Sequence, residues 1–568
     1  MPLVSSKPRY ILDMVHNNPG EKPFQTKYNS PEYLKSQGFN GMVAHWPVNC
    51  AIVYQEADGH LSSDSNEQLW IQNKAKEIDA KLSECVLNGI EVYPFTDFLV
   101  FPESIWRRYG NEMVSETELL AKRQGLKNRK PDMQRKRTQK LLRAQISGIF
   151  NRFPLLGGLT LRFGETYLHD TPYHSGAGPI RDGQLGIADH ITMLNILREE
   201  VCVKRNKKLF YRTWDFGFNF HTNPEYYLAV TNKIEPHPNL FFVIKYQQDD
   251  FHRMTPFNPT IGIGRHQQLI ESQSRMEAYG KGAHPYYVGK GVIDGWPETK
   301  FVIDRTKHSF TGGFTNQGSP RGLKDILSKG LFAGVITWSN GGGWDGPYIK
   351  SELWNDLNTY VVAKWAMQPQ KKEEEIFDEY TSKIGLKGYQ ADLFRELCLL
   401  SIEGVRKGQL NSYVSNAVWW SRDEYFSASD NEGVLAEALQ LGKVDRILSE
   451  KAESTAIWLR IEAISKQICL NRKEDQEALE VSCHYGRIKY SLIEQMWILM
   501  FQKASGGYKK ESGKKIVAQS IREYDRLWTE WHALKGSSEY CATLYTDLAF
   551  RKKRKGSIGE FVDLMRKY

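Results

Sequence analysis

Carboxylate side chains follow two strand-like runs in the middle of the chain. The run LFFVIKY, residues 240–246, is apolar and β-branched, and Asp249 and Asp250 come just after it. The run QLIESQS, residues 268–274, is followed in the same way by Glu277. Buried parallel strands end like this where their carboxyl ends open into a site, and carboxylates there can share acid–base work on one substrate. Each acid taken alone could instead cap a helix or lie in a surface loop.

Further charged, polar and tryptophan residues stand at the ends of other strand-like runs. They are Asp13, His16, His45, Trp46, Thr96, Asp97, Arg162, Glu165, Arg212, Asp215, Lys245, Arg275, Trp338, Asn340 and Trp344. The chain has no Ser/His/Asp arrangement on a nucleophile elbow and no HExxH motif. One carboxylic acid opposite a pair of carboxylates is the set of groups that glycoside hydrolysis requires, since one group protonates the leaving oxygen while another activates water or attacks carbon.

Eight strand-like runs, many of them separated by helical patterns, would position these residues. The runs cover residues 10–15, 40–46, 89–95, 158–165, 208–216, 240–246, 268–274 and 332–340. Strands that alternate with helices in this way predict an α/β fold, a (β/α)8 TIM barrel with its site at the carboxyl ends of the strands. A doubly wound nucleotide-binding sheet is disfavoured, because HNNPGEKP follows the first run where GxGxxG would be needed.

The character of the chain changes after Pro369. From KKEEEIFDEYTSKIG onward the patterns are helical, and YSLIEQMWILMFQKA and IREYDRLWTEWHALK are amphipathic at the helical period. Their Trp and Met stripes are expected to be core. The sequence therefore predicts a catalytic barrel over residues 1–369 and a C-terminal all-α domain over residues 370–568. A homodimer formed through the helical domain is left open.

Composition restricts the class of protein. The chain has 568 residues, 40% hydrophobic and 25% charged, as in ordinary soluble globular proteins, and 12% aromatic, as in sugar-binding clefts but also in large cores. The net charge of +9 suits an anionic substrate, whereas the run RKKRK at 551–555 is expected to be a solvated patch rather than a nucleic-acid site. Seven cysteines without CxxC spacing indicate neither a zinc site nor a disulfide framework. No metal, cofactor or membrane partner is expected, and the compartment stays open between periplasm and cytoplasm.

Four motifs carry a resemblance to a known family. The stretch IKYQQDDFHRMTP, from Ile244 to Pro256, resembles IKNGPMDFQVREP of glycoside hydrolase family 67, the α-glucuronidases. LIESQSRMEAYG, from Leu269 to Gly280, resembles that family's LEFQITQEYTG. Upstream, GGLTLRFGETYLHDTPYHSGAGP resembles GGFLVKADSEGQPGP, and YRTWDF resembles WRAFVY. The ordered series runs from about Gly157 to Pro369, and the chain looks like a distant relative or a sister family.

The resemblance implies roles for individual residues. Glu165 would be the general acid of an inverting mechanism, and Asp250 and Glu277 would be the pair that activates water. The resemblance also implies that Arg162, Arg212 and Lys245 hold the sugar carboxylate. Further substrate-binding residues are predicted among those near the strand ends: Asp249, Trp214, Trp344, His16 and Trp46.

These observations predict a glycosidase that removes a terminal uronic acid, α-linked glucuronate for example, from an oligosaccharide or polysaccharide. Two alternatives keep the same fold: a glycosidase for a neutral sugar, if the basic residues pair with local acids, and a carbohydrate-binding barrel without catalysis. A polysaccharide lyase is a third alternative, and it would need a Tyr or His base near C5 of the sugar.

Overall fold

A computed structural model describes most of the chain, in two compact units. The described residues are 9–16, 25–54, 65–115, 130–164, 166, 168, 170–215, 219–248, 251, 257–274, 283–296, 322–341, 350–409, 432–542 and 558–568. The first unit comprises Met1–Gln248, Phe257–Ser272 and His308–Trp338, and the second comprises Asp249–Pro256, Gln273–Lys307 and Ser339–Tyr568. This division by compactness differs from the predicted boundary at Pro369, which stays a prediction about the extent of the catalytic barrel.

The strands form one large sheet and one small sheet. They are β1 (Tyr10–His16), β2 (Gly41–Val43), β3 (Glu91–Val92), β4 (Phe95–Asp97), β5 (Phe101–Pro102), β6 (Gly158–Arg162), β7 (His174–Ser175), β8 (Lys208–Arg212), β9 (Leu240–Lys245), β10 (Gln267–Gln273) and β11 (Phe332–Gly341). The large sheet has the order β3-β2-β1-β11-β10-β9-β8-β6-β4, and β5 pairs with β7 in the small one. The large sheet is parallel, and all eight predicted strand-like runs are confirmed as its members.

The two outermost strands of the large sheet, β3 and β4, are pieces of one chain segment interrupted at Tyr93 and Pro94. On one side of this segment, the backbone N–H groups of Tyr93 and Phe95 donate to the carbonyls of Met42 and Ala44, at 2.9 and 2.8 Å. On the other side, Thr160 donates to the carbonyl of Pro94 at 2.9 Å. The same short segment therefore hydrogen-bonds toward both β2 and β6.

Helices separate most of the strands and make up nearly all of the second unit. They are α1 (Pro31–Ser36), α2 (Asn66–Leu87), α3 (Glu103–Met113), α4 (Lys136–Arg152), α5 (Gln184–Leu197), α6 (Pro224–Thr231), α7 (Gly289–Asp294), α8 (Leu323–Ile326), α9 (Leu353–Met367), α10 (Glu373–Lys383), α11 (Tyr389–Gln409), α12 (Glu432–Gln440), α13 (Val444–Ser465), α14 (Lys473–Ala504), α15 (Glu511–Ser537) and α16 (Ile558–Met565). A π-helical turn, Arg198–Val203, continues α5, and short 3₁₀ turns occur at Lys27–Asn29, Leu327–Lys329 and Gly507–Lys509.

Aromatic rings fill the concave face of the large sheet. The ring of Phe210 on β8 lies 5.3 Å from Tyr10 on β1, 4.7 Å from Tyr93 and 5.3 Å from Phe241 on β9, measured between centroids. Three strands, β11, β10 and β9, separate β1 from β8 in the sheet. Because a flat sheet would hold β1 and β8 far apart, at about 4.8 Å per strand, the contact between Tyr10 and Phe210 requires the sheet to curl.

His190 lies on the opposite face of the same sheet, against Tyr211. Successive strand residues point to opposite faces, so Tyr211 faces away from its neighbour Phe210. The ring of His190 stacks on Phe220 at 4.4 Å, and its Nδ1 is 2.7 Å from the hydroxyl of Tyr211. Burial lowers the pKa of His190 from 6.5 to about 3. The folded protein therefore resists protonation of a ring that the unfolded chain protonates readily.

His190→Gln is expected to reduce the acid sensitivity of folding. Below pH 6.5 the unfolded chain binds a proton that the folded His190 does not bind until about pH 3. The free energy of unfolding should therefore fall as the pH drops through this window, by about 1.4 kcal/mol per pH unit for this group. Glutamine cannot titrate but can still hydrogen-bond Tyr211.

The measurement is urea unfolding at several pH values between 4.5 and 7. The difference in unfolding free energy between wild type and His190→Gln should narrow steadily as the pH falls. An exposed residue, His532, provides the control His532→Gln, which should keep the wild-type dependence. Parallel curves for wild type and His190→Gln would contradict the buried, neutral state of His190.

The helical unit has a core of large aromatic and sulfur side chains. Trp497, Met496 and Met500 of α14 and Trp528 and Trp531 of α15 are all buried, which confirms that the amphipathic stripes are core. The helical content predicted for residues 370–568 is likewise confirmed where the structure describes it. Within the described residues, no helix combines the length and the apolar character that crossing a membrane requires.

Asn358 of α9 fixes the segment that precedes α7 in the same unit. Its Oδ1 accepts hydrogen bonds from the backbone N–H groups of Val288 and Gly289, at 2.8 and 3.2 Å, and its Nδ2 donates to the carbonyl of Tyr286 at 2.8 Å. One buried amide thus satisfies three backbone groups of a segment that carries no strand of its own.

Candidate active site

The carboxyl-terminal ends of the large-sheet strands bring charged and aromatic side chains together. Arg212 lies two residues after Phe210 on β8, and Lys245 lies four residues after Phe241 on β9. Because side chains alternate along a strand, both share the concave face with the aromatic layer. The cluster contains His16, His45, Phe95, Asp97, Arg162, Arg212, Trp214, Lys245, Glu271 and Trp338, and we call it the edge cluster.

Two bidentate ion pairs lie inside the edge cluster. Arg162 donates to both carboxylate oxygens of Asp97, at 2.5 Å each, and Arg212 donates to both oxygens of Glu271, at 2.7 Å each. All four side chains are less than 10% exposed. Paired and parallel N–H···O bonds are the strongest arrangement available to a guanidinium and a carboxylate. The pairs therefore fix the planes of both guanidinium groups.

Aromatic faces cover the cations of the edge cluster. The guanidinium carbons of Arg162 and Arg212 lie 4.9 and 5.3 Å from the ring centroid of Phe95. The Nζ atom of Lys245 lies 3.3 Å from the ring centroid of Trp214, and Trp338 lies within 6 Å of both Arg212 and Lys245. Cations within about 6 Å of an aromatic centroid are attracted by its negative face. The rings thus cover three positive charges whose residues are at most 6% exposed.

Two histidines complete the edge cluster. The ring of His16 stacks on Trp338 with centroids 4.9 Å apart and planes 5° apart, and it meets the edge of His45 at 4.7 Å. Burial, followed by the charges of Arg162 and Arg212, lowers the pKa of His45 from 6.5 to about 3. Burial, His45 and the three cations together hold the pKa of His16 well below its usual value. Both imidazoles are therefore neutral at ordinary pH.

The structure brings five of the predicted substrate-binding residues together: His16, Arg162, Arg212, Trp214 and Lys245. Trp46 follows β2 and is partly exposed, and its backbone carbonyl accepts a hydrogen bond from Val48 at 2.7 Å. Its ring makes no aromatic contact with the edge cluster among the described residues. The remaining predicted site residues, namely Glu165, Asp249, Asp250, Glu277 and Trp344, lie outside the described residues.

Asp215 is the acidic residue nearest in sequence to Arg212. Its carboxylate accepts hydrogen bonds from the backbone N–H groups of Asn219 and Phe220, at 3.1 and 2.6 Å. The carboxylate on Arg212 belongs instead to Glu271, which is 59 residues away in the sequence. Asp215 thus stabilises the turn after β8.

The substrate-binding prediction omitted five members of the edge cluster: His45, Phe95, Asp97, Glu271 and Trp338. All of them lie at or near the carboxyl ends of large-sheet strands. His45, Asp97 and Trp338 stood among the strand-end residues of the sequence, and Glu271 fell on a motif position. Choosing them would have required knowing which strands are neighbours, because Asp97 faces Arg162 and Glu271 faces Arg212 only across strands.

The donor set does not resemble a metal site. Among the described residues, no three His, Cys, Asp or Glu side chains are placed to hold one metal ion. The three cations of the edge cluster would also repel a divalent ion. What the cluster offers is a polar, aromatic-lined surface that suits an organic anion or a sugar.

Comparison with known proteins gives structural neighbours only. No protein-family model and no curated protein sequence matches the chain. A family GH138 enzyme targeting pectin rhamnogalacturonan II is similar with a TM-score of 0.56 and 11% identity, covering 98% of this chain and 66% of that one. CpGH84B has a TM-score of 0.44 and 8% identity, with 98% and 77% covered. The chitobiase FjGH20 of Flavobacterium johnsoniae has a TM-score of 0.33 and 10% sequence identity, covering 98% of this chain and 78% of that one.

These neighbours are glycoside hydrolases of families GH138, GH84 and GH20, and none of the three belongs to family 67. Of these three structures, the GH138 enzyme is the one with a TM-score above 0.5. At 11% sequence identity, this likeness shows that the folds are similar. The chain is thus a mixed α/β protein whose curled parallel sheet resembles glycoside hydrolase barrels. It spans 66% of the length of that enzyme.

Proposed function

We propose that this protein is a glycoside hydrolase whose site is the edge cluster. The observation that carries the proposal is the convergence of Arg162, Arg212 and Lys245, with two buried carboxylates and aromatic faces, at the carboxyl edge of the sheet. In barrels of this kind the chemistry lies at that edge. The likeness of the fold to a glycoside hydrolase supports the reaction class.

The sheet is proposed to close into an eight-stranded (β/α)8 barrel. The segment that contains β3 and β4 hydrogen-bonds toward β2 on one side and toward β6 on the other. If β3 and β4 count as one strand broken at Pro94, eight strands remain, and their order closes on itself. Proline lacks the N–H group that a regular ladder needs, which accounts for a break at this residue.

A terminal uronic acid is the proposed substrate group. Among the described residues, the edge cluster combines three cations with the carboxylates of Asp97 and Glu271. We infer that a sugar carboxylate binds beside these cations and that Lys245, whose ammonium lies on the face of Trp214, meets it as a point charge. The similar GH138 enzyme targets pectin rhamnogalacturonan II, and a polysaccharide substrate is proposed for this protein as well.

The catalytic roles follow the family 67 resemblance and remain proposals. Glu165 is the general acid, and Asp250 and Glu277 activate the attacking water, so the reaction inverts the anomeric centre. Asp249, Trp344 and Trp46 are proposed to border the sugar, together with Trp214 and His16. In this assignment the described edge cluster binds the sugar and its carboxylate, while the three acids perform the chemistry.

Lys245→Met is expected to lower kcat/KM on an aryl uronoside about 10- to 100-fold. A hydrogen bond to a charged group contributes about 1.5–3 kcal/mol, and methionine keeps the length of the side chain without its charge. On the matching neutral aryl glycoside the loss should stay below about threefold. Steady-state kinetics with both substrates measure the difference.

Lys208→Met is the matched control. Lys208 begins β8 at the opposite end of the same sheet, and its Nζ pairs with Glu91 at 2.5 Å. The control should leave both activities close to wild type. Equal losses on both substrates after Lys245→Met, or a wild type that prefers the neutral glycoside, would contradict the uronic acid assignment.

A glycosidase for a neutral sugar is the second candidate, and one observation favours it. Arg162 and Arg212 both have buried bidentate carboxylate partners, as expected if the basic residues serve the packing of the sheet. Under this alternative Asp97 and Glu271 neutralise the arginines, and the aromatic faces stack on the sugar ring. The two-substrate comparison with Lys245→Met separates the candidates.

A further inference from the structure

His16 and His45 form a compact imidazole pair within the edge cluster. Their ring planes are 84° apart, and the ring of His16 also stacks on the ring of Trp338. His45 in turn meets Phe95 at 4.9 Å. The ring of Phe95 also contacts Arg162 and Arg212, and the ring of Trp338 also contacts Arg212 and Lys245. The histidine pair therefore lies beside the cations.

Polar atoms of both rings have no hydrogen-bond partner in the described part of the chain. They are Nδ1 of His16 and Nε2 of His45, and both atoms are buried. His16 as a whole is only 5% exposed. A buried polar atom without a partner destabilises a protein by about 1–3 kcal/mol, so such atoms normally meet a protein group, a water or a ligand.

The chemistry around the pair restricts what that partner is. A cation is disfavoured, because Arg162, Arg212 and Lys245 all act on the ring of His16. An anion is attracted more strongly by the neighbouring cations than by a neutral imidazole, so an anion is not the expected partner of the histidines. A neutral imidazole offers one N–H donor and one lone-pair acceptor, and a hydroxyl group also offers both. A hydroxyl is therefore the partner that suits two neutral imidazoles.

We infer that His16 and His45 recognise a hydroxyl group of the bound sugar, the one at C4 next to the carboxylate-bearing carbon. The inference rests on the proposed function, since it takes the carboxylate of a terminal uronic acid to lie on Lys245 and the arginines. In a pyranose uronic acid the carboxylate is carried on C5, and C4 is its hydroxyl-bearing neighbour. His16 shares Trp338 with Arg212 and Lys245, so the inference places the hydroxyl next to the carboxylate-bearing carbon on the histidine pair.

According to this inference, the histidine pair determines which configuration at C4 of the sugar the site binds. D-glucuronate and D-galacturonate differ only in the configuration at C4, so a site that hydrogen-bonds this hydroxyl distinguishes the two. Removing the hydroxyl altogether gives a single 4-deoxy uronate common to both. One hydrogen bond between neutral groups corresponds to about a 2- to 10-fold change in affinity.

The test is calorimetric or competition binding of monosaccharides to the full chain. The probes are D-glucuronate, D-galacturonate and their 4-deoxy analogue, with D-glucose, D-galactose and 4-deoxyglucose as the uncharged series. The variants are His16→Phe and His45→Phe, and His45→Gln keeps a hydrogen-bonding group in case the larger change disturbs folding. His237→Phe is the control, because His237 precedes β9 at the opposite end of the sheet.

Wild type should bind its preferred C4 epimer about 2- to 10-fold more tightly than the 4-deoxy analogue. In both Phe variants this ratio should fall to about one, His45→Gln should keep part of it, and His237→Phe should keep all of it. Variants that fold and retain the wild-type ratio would overturn the inference, as would a wild type that binds no sugar.

The comparison of uronates with neutral sugars tests the proposed function separately from the role of the histidines. A wild type that binds uronates no better than the matching neutral sugars removes the uronic acid assignment. The role of the histidines is then judged on the uncharged series, where the same loss of the C4 ratio is expected. A histidine effect that is equal on 4-hydroxy and 4-deoxy sugars means that the pair only shapes the site.

Discussion

Glu271→Gln is expected to lower the free energy of unfolding by about 3–5 kcal/mol. Glu271 is 1% exposed and accepts two hydrogen bonds from Arg212, which is itself 3% exposed. Glutamine has nearly the same shape but carries no charge, so the buried guanidinium loses the counter-charge of Glu271. Breaking a buried ion pair from one side is costly because the remaining charge is poorly solvated.

Urea unfolding followed by circular dichroism measures this loss. Glu235→Gln serves as the control, because the Glu235 side chain is 74% exposed and lies 3.8 Å from Arg265 at the surface. Exposed pairs contribute about 0–1 kcal/mol, so the control should be nearly neutral. A double replacement, Arg212→Met with Glu271→Leu, should recover much of the stability. A loss below about 1 kcal/mol for Glu271→Gln would mean that water reaches the pair.

Glu165→Gln is expected to reduce kcat by about 10²–10⁴-fold on substrates with a poor leaving group. Its assigned role is to protonate the departing oxygen, and glutamine cannot donate a proton in this way. An activated aryl leaving group departs without such help, so its kcat should fall far less. Glu165 lies outside the described residues, and the expectation therefore rests on its position in the sequence motif.

The measurement compares an aryl uronoside that carries a nitrophenolate leaving group with an unactivated oligosaccharide. Glu91→Gln is a suitable control, since Glu91 lies at the opposite end of the sheet and pairs with Lys208. Parallel losses on the two substrates would assign the proton transfer to another group. Normal turnover of both would remove Glu165 from the mechanism.

The strands were the most predictable part of the structure. Apolar, β-branched runs such as LFFVIKY are long and bounded by polar residues, and every such run became a strand of the large sheet. The prediction that helical patterns separate many of these runs is also confirmed, for example by α2 before β3 and α4 before β6. Two-residue strands such as β5 and β7 carry no pattern of their own, because their pairing depends on a partner more than 70 residues away.

The site was predictable in its residue types and only partly in its partnerships. Strand ends drew attention to His16, Arg162, Arg212 and Lys245, which the structure brings together. The carboxylates of the two ion pairs could not be chosen, because Asp97 and Arg162 are 65 residues apart and meet only through the pairing of β4 with β6. A linear sequence lists which groups are available, whereas the order of the strands decides which of them touch.

The position of β1 beside β11 has a consequence for how the protein is made. The hydroxyl of Thr337 donates to the carboxylate of Asp13 at 2.6 Å, across 324 residues of sequence. At a synthesis rate of about 5–20 residues per second, β11 emerges roughly 16–65 s after β1. Throughout that interval the apolar first strand has no neighbour on one of its sides. One edge of β1 therefore stays without its native partner strand until the ribosome has synthesised β11.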